Sequence, residues 1–218
     1  MDPSDRAYAG QADYTPGLLA IYDSFVLGFM ARVVWRCPTP PVVDRYRRLV
    51  RHRHLEVGPG TGYFLDKAGL SIETQATLLD PNTNVLAHAS RRLASINPTV
   101  VEADVLKPLP VHGLYDSAAL NYVLHCLPGP QTQKAAAIRN VAAVLNPDGV
   151  LFGGTVLGRS ARHAPLARAA LWAFNRRGAF DNLTDSETGL REIMEESFWT
   201  VEIDVVGSIA LFTATDRR

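Results

Sequence analysis

Three glycines fall within five positions directly after a short apolar run, in the stretch HLEVGPGTGYF at residues 54–64. Glycine weakens both helices and strands, so a turn built on Gly58, Gly60 and Gly62 indicates a place where another group approaches the backbone closely. A strand, such a turn and a helix N-terminus together form a common ligand-binding unit of α/β proteins. This stretch therefore predicts a strand, a ligand-binding loop and a helix, with a plain tight turn as the alternative.

From residue 54 onward, short apolar runs alternate with helical patterns, which is typical of a parallel sheet covered by helices. Helices are expected from Gly62 to Gly69, from a cap at Asn82 or Thr83 to about Ser95, and from residue 131 to an Asn-Pro-Asp-Gly turn. Strands are predicted at residues 54–57, 76–80, 99–104, within 115–125, and at 150–156, 200–206 and 209–215. Gly207-Ser208 between the last two strands suits a tight antiparallel hairpin. The predicted sheet thus has five parallel strands and a terminal hairpin.

Composition narrows the kind of protein. The 218 residues are 47% hydrophobic, which is enough for one domain with a real core. The formal net charge is zero, without the basic excess of nucleic-acid binders. Cys37 and Cys126 are far apart, the first residues are polar, and no apolar run reaches the length of a membrane span. We expect a cytoplasmic protein with no membrane or nucleic-acid partner.

Two regions lie outside the alternating pattern. Residues 1–50 look mostly helical and aromatic, and residues 158–185 contain a further helix with Trp172 and Phe174. We interpret residues 51–218 as the main domain, residues 1–50 as a helical cap or lid, and residues 158–185 as a lid insertion. Ligands of open α/β sheets bind at the carboxyl ends of the strands, which both regions could cover. The alternative is that their aromatic side chains are simply helix core.

Three acidic residues follow successive predicted strands. Glu56 ends the first strand, Asp80 the second and Asp104 the third. A carboxylate after the second strand suits a ribose diol, and one after the third suits an exocyclic amine such as that of adenine. Each acid alone could be a helix cap or lie in a solvated loop, but together with the glycine loop they predict an adenosine-binding edge.

The ordered set of motifs resembles the class I S-adenosylmethionine-dependent methyltransferases. LEVGPGTG is similar to the first motif of that family, LLDPN to the second and VEADV to the third. YDSAALNYVLHCLP is similar to the fourth-strand motif and VLNPDGVLFGGT to the segment around the fifth strand. The resemblance covers about residues 50–215 and implies a Rossmann-like seven-stranded sheet with an antiparallel C-terminal hairpin.

The resemblance also implies the residues that bind S-adenosylmethionine. The glycines would let the backbone approach the cofactor, Glu56 would hold the loop or meet the amino group, Asp80 would bind the ribose, and Asp104 the adenine amine. The full predicted cofactor set is Tyr14, Glu56, Gly58, Pro59, Gly60, Thr61, Gly62, Asp80, Pro81, Asn82, Asp104, Val105, Asn121 and Tyr122. His125 is the candidate general base, with packing as its alternative role, and Tyr22 could reach over the cofactor.

The expected activity is methylation of a small molecule, such as a secondary metabolite, at oxygen or nitrogen. The chain lacks the Pro-Pro-Tyr motif of base-amine methyltransferases after the fourth strand, and no spacing indicates a metal site. A homodimer is compatible with the sequence. A nicotinamide-dependent oxidoreductase and a non-catalytic S-adenosylmethionine-binding protein are the alternatives.

Overall fold

A seven-stranded mixed sheet is the centre of the structure, a computed structural model that describes residues 23–160 and 162–218. The strands are β1 (Arg53–Val57), β2 (Gln75–Asp80), β3 (Thr99–Glu102), β4 (Tyr115–Asn121), β5 (Leu145–Val156), β6 (Phe198–Val206) and β7 (Ile209–Arg217). Their order across the sheet is β3-β2-β1-β4-β5-β7-β6. The first five strands are parallel, and β7 is antiparallel to both β5 and β6. The predicted α/β sheet with a terminal hairpin is confirmed.

Helices fill the connections between the strands. They are a π-helix (Asp23–Val34), α1 (Thr39–Leu49), α2 (Tyr63–Ala68), α3 (Thr83–Arg92), α4 (Gln131–Ala143), α5 (Pro165–Arg176) and α6 (Glu187–Glu195). Short 3-10 turns cover Ala94–Ile96 and Leu124–Cys126. Asn82 caps α3 as predicted, because its side chain accepts a hydrogen bond from the Asn84 N–H at 2.9 Å. α3 ends at Arg92, earlier than expected, and the chain continues as a 3-10 turn.

The Asn-Pro-Asp-Gly segment corrects one expectation. It was predicted as the turn that separates α4 from the fifth strand, but β5 already begins at Leu145 and includes residues 146–149. Pairing with β4 passes from Tyr115–Leu145 to Ser117–Val150, so the segment bulges out within the strand. The Asn146 side chain donates a hydrogen bond to Asp116 at 2.7 Å, which fastens the bulge to the neighbouring strand.

The core has two layers, one on each face of the sheet. One face packs mainly against α4 and α6, and the other against the π-helix, α1, α2, α3 and α5. Side chains alternate between these faces, as the two-residue period of strands requires. In β5, for example, Leu151 belongs to the first layer and Phe152 to the second.

The N-terminal helices and the 158–185 insertion come together on the second face. Phe174 and Phe180 of the insertion pack on Trp35, with ring centroids 6.3 and 6.1 Å away. These aromatic residues are therefore core, as the alternative interpretation held, whereas Trp172 is exposed and carries the Arg176 guanidinium over its ring. The helical character predicted for residues 1–50 is confirmed over the described part, and a lid role stays a prediction.

Within the residues that the structure describes, no helix combines the length and the apolar character needed to cross a membrane.

Candidate functional site

A pocket lies at the carboxyl ends of the parallel strands, and we call it the strand-end pocket. Ten of the predicted cofactor residues line it: Gly58, Pro59, Gly60, Thr61, Asp80, Pro81, Asp104, Val105, Asn121 and Tyr122. Sequence reasoning missed the other lining residues: Leu27, Val57, Tyr63, Leu79, Val85, Leu106, Val123, Cys126 and Leu127. The fold therefore brings the predicted loop and the predicted strand-end acids into one place.

Four of the predicted site residues that the structure describes do not line the pocket. Glu56, Gly62, Asn82 and His125 are described and lie beside or behind it. Tyr14 and Tyr22 lie outside the described residues. Most of the missed wall residues lie within or directly after a predicted strand or loop, so proximity to those motifs was the one available signal. Leu27 had no such signal, because only tertiary packing brings it to the sheet.

The three loop glycines serve two different purposes. All have positive φ, between 54° and 76°, which disfavours other residues. A β-carbon on Gly58 would lie 2.5 Å from the Val123 side chain, and one on Gly62 would lie 3.4 Å from Ala89 of α3. A β-carbon on Gly60 would meet no atom within 4 Å. Only Gly60 therefore presents bare backbone to open space, whereas the other two allow close packing within the protein.

Asp80 ends β2 with one carboxylate oxygen already used. Its Oδ1 accepts a hydrogen bond from the Asn82 N–H at 2.7 Å. Burial raises the pKa of Asp80 to about 7, and the Asn82 hydrogen bond opposes that rise. The carboxylate thus sits where its charge is poorly solvated, and a ligand that donates hydrogen bonds would stabilise the ionised form.

Asp104 follows β3 and has a similar arrangement. Its Oδ1 accepts from the Leu106 N–H at 3.0 Å, and its Oδ2 is 3.9 Å from the Lys107 ammonium. Asn140 of α4 donates to the carbonyl of Val105 at 2.9 Å and so fixes the segment after Asp104. The Asp104 carboxylate is therefore held at the pocket by its own loop, with one oxygen directed away from the loop amides.

Asn121 and Tyr122 end β4 at the pocket. Asn121 is 6% exposed, and neither its amide nitrogen nor its amide oxygen has a described residue in hydrogen-bond geometry, although the nearby Asn121 amide opposes the rise that burial causes in the pKa of Tyr46. Tyr122 has φ of 61°, unusual for a residue with a side chain, and its N–H donates to the Gly154 carbonyl at 2.7 Å. Backbone strain and unpaired buried polar groups concentrate at functional sites.

Glu56 belongs to a buried network on the α1 side of the sheet. The Tyr46 hydroxyl donates to Glu56 Oε1 at 2.7 Å, and His54 Nε2 lies 3.0 Å from Oε2. His54 Nδ1 is in turn 2.9 Å from the Ser117 hydroxyl. Burial and the neighbouring Glu56 raise the pKa of Tyr46 well above its ordinary value, so Tyr46 stays a hydrogen-bond donor. These contacts anchor the end of β1 just before the loop.

His125 is buried behind the pocket. Its Nδ1 accepts a hydrogen bond from the Val156 N–H at 3.3 Å, and its ring packs edge-on against Phe180 with centroids 4.4 Å apart. Burial, and to a smaller extent Lys134, lower the pKa of His125 to about 3. The contacts of this neutral ring match the packing alternative. The neighbouring Cys126 lines the pocket as a thiol, because burial raises its pKa to about 12.

Among residues 23–160 and 162–218, no group of three or more His, Cys, Asp or Glu side chains is placed to hold a metal ion.

Comparison with known proteins connects this pocket to a family. A family model described as "Methyltransferase domain" matches residues 55–151, which contain all of the described strand-end acids and the glycine loop. The chain is 38% identical over 209 residues to demethylluteothin O-methyltransferase of Streptomyces thioluteus, covering 94% of this chain and 90% of that protein. It is 35% identical over 187 residues to N-methyltransferase vrtF of Penicillium aethiopicum, covering 83% and 77%.

Solved structures share the fold. The N-methyltransferase NodS from Bradyrhizobium japonicum WM9, in complex with S-adenosyl-l-homocysteine, superposes with a TM-score of 0.59 at 19% identity, covering 82% of this chain and 84% of that one. The sheet order, the pocket and the likeness to known enzymes over nearly the whole chain all point to the same family. The chain belongs to the class I S-adenosylmethionine-dependent methyltransferases that act on small molecules.

Proposed function

We propose that the chain transfers the methyl group of S-adenosylmethionine to a hydroxyl oxygen of a small secondary metabolite, with the cofactor in the strand-end pocket. The observation that carries the proposal is Asn121, a buried amide at the pocket whose two polar atoms have no hydrogen-bond partner among residues 23–160 and 162–218. A buried polar group without a partner costs free energy, so a ligand that supplies the missing hydrogen bonds restores it. Because the chain belongs to the methyltransferase family, we prefer this activity to the oxidoreductase and to the non-catalytic binding protein.

The residues present fit the adenosine half of the cofactor. Asp80 uses one oxygen for its own loop, which leaves capacity for the two hydroxyl donors of a ribose. Asp104 likewise has an oxygen directed away from its loop amides, which suits the exocyclic amine of adenine. The pocket wall also includes the apolar side chains of Val105, Leu106 and Val123, which suit the faces of a flat ring.

The glycine loop and the end of β4 fit the amino-acid half. Gly60 leaves open space for close approach to the backbone, and Asn121 can both donate and accept toward a charged amino-acid group. When bound, S-adenosylmethionine supplies a methyl group on a sulfonium, a leaving group that needs no protonation. The contribution of the chain is then to orient the two reactants and to exclude water. Leu27 and Tyr122 line the pocket and are our candidates for this role.

Oxygen is proposed as the acceptor atom because the curated relative with 38% identity is an O-methyltransferase. Nitrogen is the second candidate, because an N-methyltransferase is 35% identical. A hydroxyl acceptor must lose a proton during transfer, so a general base would help. His125 is a weak base in its buried site, and a role for Tyr22 or Tyr14 stays a prediction. A cytoplasmic location and a homodimer also stay predictions.

Thermal unfolding with S-adenosylmethionine, S-adenosylhomocysteine and NAD in parallel tests the cofactor assignment. A ligand at 100 times its dissociation constant stabilises the folded state by about 2.7 kcal/mol, which is several degrees for a chain of this size. We expect this shift with the two adenosyl-sulfur ligands, its loss in Asp104→Ala, and no loss in Asp148→Ala. Asp148 is a matched control because it is an exposed acid on the β5 bulge, away from the pocket. A shift with NAD alone would contradict the proposal.

Formation of S-adenosylhomocysteine with a panel of acceptors tests the reaction. Pairs of small aromatic compounds that differ only in a hydroxyl or an amino group would separate O- from N-methylation. We expect turnover of the hydroxyl members. Turnover of amines alone would replace oxygen by nitrogen, and turnover of proteins or RNA without any small acceptor would contradict the proposed acceptor class.

A further inference from the structure

Three side chains from three separate elements meet beside the strand-end pocket, and we call them the latch. Asp23 begins the π-helix, Thr61 belongs to the glycine loop, and Arg92 ends α3. The Thr61 hydroxyl donates to Asp23 Oδ1 at 2.5 Å, and Arg92 Nη2 donates to Asp23 Oδ2 at 2.5 Å. Arg92 Nη1 also donates to the carbonyl and the hydroxyl oxygen of Thr61, at 3.0 and 2.9 Å. Each member of the latch thus contacts the other two.

The latch is more protected from water than an ordinary surface ion pair. The side chains of Asp23 and Arg92 are 22% and 28% exposed, and Thr61 is buried. In the nearby pair Asp44–Arg47 of α1 the side chains are 60% and 55% exposed. Charge-assisted hydrogen bonds of a planar guanidinium are stronger and more directional than neutral ones, and screening weakens them least when they are partly buried. The latch is therefore built to hold its three elements in one arrangement.

The three elements that the latch joins also form part of the pocket wall. Leu27 follows Asp23 by one turn of the π-helix, is buried, and lines the pocket. Thr61 itself lines the pocket within the glycine loop. α3 starts two residues after Pro81, another lining residue, and Arg92 lies at its far end. The latch thus connects the wall from the π-helix with the wall from the glycine loop and with the helix that follows Asp80.

We infer that Asp23 and Arg92 are positioning residues that couple the placement of the π-helix over the pocket to occupancy of the pocket. The inference rests on the proposed function for the identity of the ligand. A ligand that touches both Leu27 and the glycine loop is bound fully only when the latch joins them. By linkage, the bound ligand must then hold the π-helix closed to the same degree. Opening of the latch sets how fast S-adenosylhomocysteine leaves.

The dissociation rate of S-adenosylhomocysteine from the full chain tests the inference. We expect Asp23→Asn to release it about tenfold faster, as loss of a charge-assisted contact implies. Arg92→Lys, which keeps the charge but loses the planar fork, should act in the same direction. The double variant should be no faster than the faster single variant, because both changes break one interaction. Asp44→Asn is the matched control and should release the ligand at the rate of the wild type.

Trypsin cleavage after Arg32, an exposed residue of the π-helix, gives the second readout. Bound S-adenosylhomocysteine should slow this cleavage in the wild type and in Asp44→Asn, and should protect Asp23→Asn much less. Without ligand, Asp23→Asn and Arg92→Lys should already be cleaved faster than the wild type. Dissociation rates within twofold of the wild type in both variants, or unchanged ligand-free cleavage, would overturn the latch. Failure of the wild type to bind S-adenosylhomocysteine would instead contradict the proposed function, and ligand-free cleavage would still decide on the latch.

Discussion

Asn121 and Asn182 are both buried asparagines, yet their surroundings are opposite. Asn182 is 0% exposed, its amide nitrogen donates to the Val156 carbonyl at 2.7 Å, and its amide oxygen accepts from Asn175 at 3.0 Å. Asn121 has neither kind of partner among the described residues. Asn182 fastens the 158–185 insertion to the end of β5, whereas Asn121 keeps its hydrogen-bonding capacity for something that enters the pocket.

Two buried acids repeat the contrast. Asp185, in the segment before α6, is paired with Lys134 of α4 at 2.6 Å, and both side chains are at most 3% exposed. Asp80 has a backbone amide but no ion-pair partner within the described residues. Burial raises the pKa of both, although Lys134 opposes the rise at Asp185, whose second oxygen lacks a partner. The pair with Lys134 holds Asp185 within the protein, whereas Asp80 lines the strand-end pocket and has no cation beside it among the described residues.

The largest expected effect comes from breaking the paired site. Lys134→Met would leave Asp185 buried without its cation. It would also remove the ammonium group that donates a hydrogen bond to the Asp181 carbonyl at 2.6 Å. We expect the free energy of unfolding to fall by about 3–5 kcal/mol. Urea denaturation monitored by circular dichroism would measure it.

Arg139→Ala is the matched control for this change. Arg139 is also a cation of α4 paired with an acid, Glu196 at 3.0 Å, but both side chains are about half exposed. Its loss should cost no more than about 1 kcal/mol. Equal losses for the two variants would mean that burial of the Lys134–Asp185 pair does not matter.

The two asparagines should respond in opposite ways to the same substitution. Asn182→Ala would remove the buried hydrogen bond to the Val156 carbonyl and one of the two that the Asn175 amide donates, so we expect a loss of about 1–3 kcal/mol in the free energy of unfolding. Asn121→Ala removes groups that are already unpaired and should change that free energy little. It should instead weaken binding of S-adenosylhomocysteine about tenfold, a difference of about 1.4 kcal/mol.

Urea denaturation would measure the stability of both variants, and isothermal titration calorimetry would measure their affinity for S-adenosylhomocysteine. A stability loss for Asn121→Ala as large as that for Asn182→Ala, with unchanged affinity, would make Asn121 a structural residue and remove the main support for the proposed cofactor position.

At neutral pH the smallest expected effect comes from the titration of Asp80, which makes binding depend on pH. Because the pKa of Asp80 is raised to about 7, the free protein is increasingly protonated there below neutral pH. Hydrogen-bond donors of a bound ribose favour the carboxylate, so binding lowers this pKa. Affinity should be full above pH 7 and fall by up to about tenfold per pH unit below it.

Calorimetric titrations of S-adenosylhomocysteine between pH 5.5 and 8.5 would measure this dependence, with the pH range chosen to span about one and a half units on each side of neutrality. The Asp80→Asn side chain cannot titrate. We therefore expect this variant to bind more weakly and to lose the part of the pH dependence that Asp80 causes. The same pH profile in the wild type and in Asp80→Asn would show that another group is responsible.

Sequence reasoning was strongest where one local pattern has one physical cause. The glycine loop, the Asn82 cap and the Gly207-Ser208 hairpin each depend on residues adjacent in the chain, and each lies where it was predicted. The Asn-Pro-Asp-Gly segment misled because its turn residues occur within a bulged strand, where pairing with β4 continues on both sides. Local propensity cannot register such long-range pairing.

Lys134 was missed although a signal existed. It precedes Ile138 by four residues and Val141 by seven, so it falls on the apolar face of α4, where a lysine needs a buried partner. The partner itself, Asp185, is 51 residues away, and no local pattern indicates which acid is paired. The latch had no signal of either kind, because Asp23 and Arg92 are 69 residues apart in the chain.

The sequence by itself determined the α/β class, the order of strands and helices, and the position of the acids that follow the strands, because these depend on the period and spacing of neighbouring residues. Only the tertiary structure decided that Gly60 faces open space while Gly58 and Gly62 pack against the protein. It also decided that Asn121 is buried without a hydrogen-bond partner in the described part of the chain and that His125 is buried with two. The reason is physical: whether a polar group is satisfied depends on residues distant in the chain that folding brings within hydrogen-bonding distance of it.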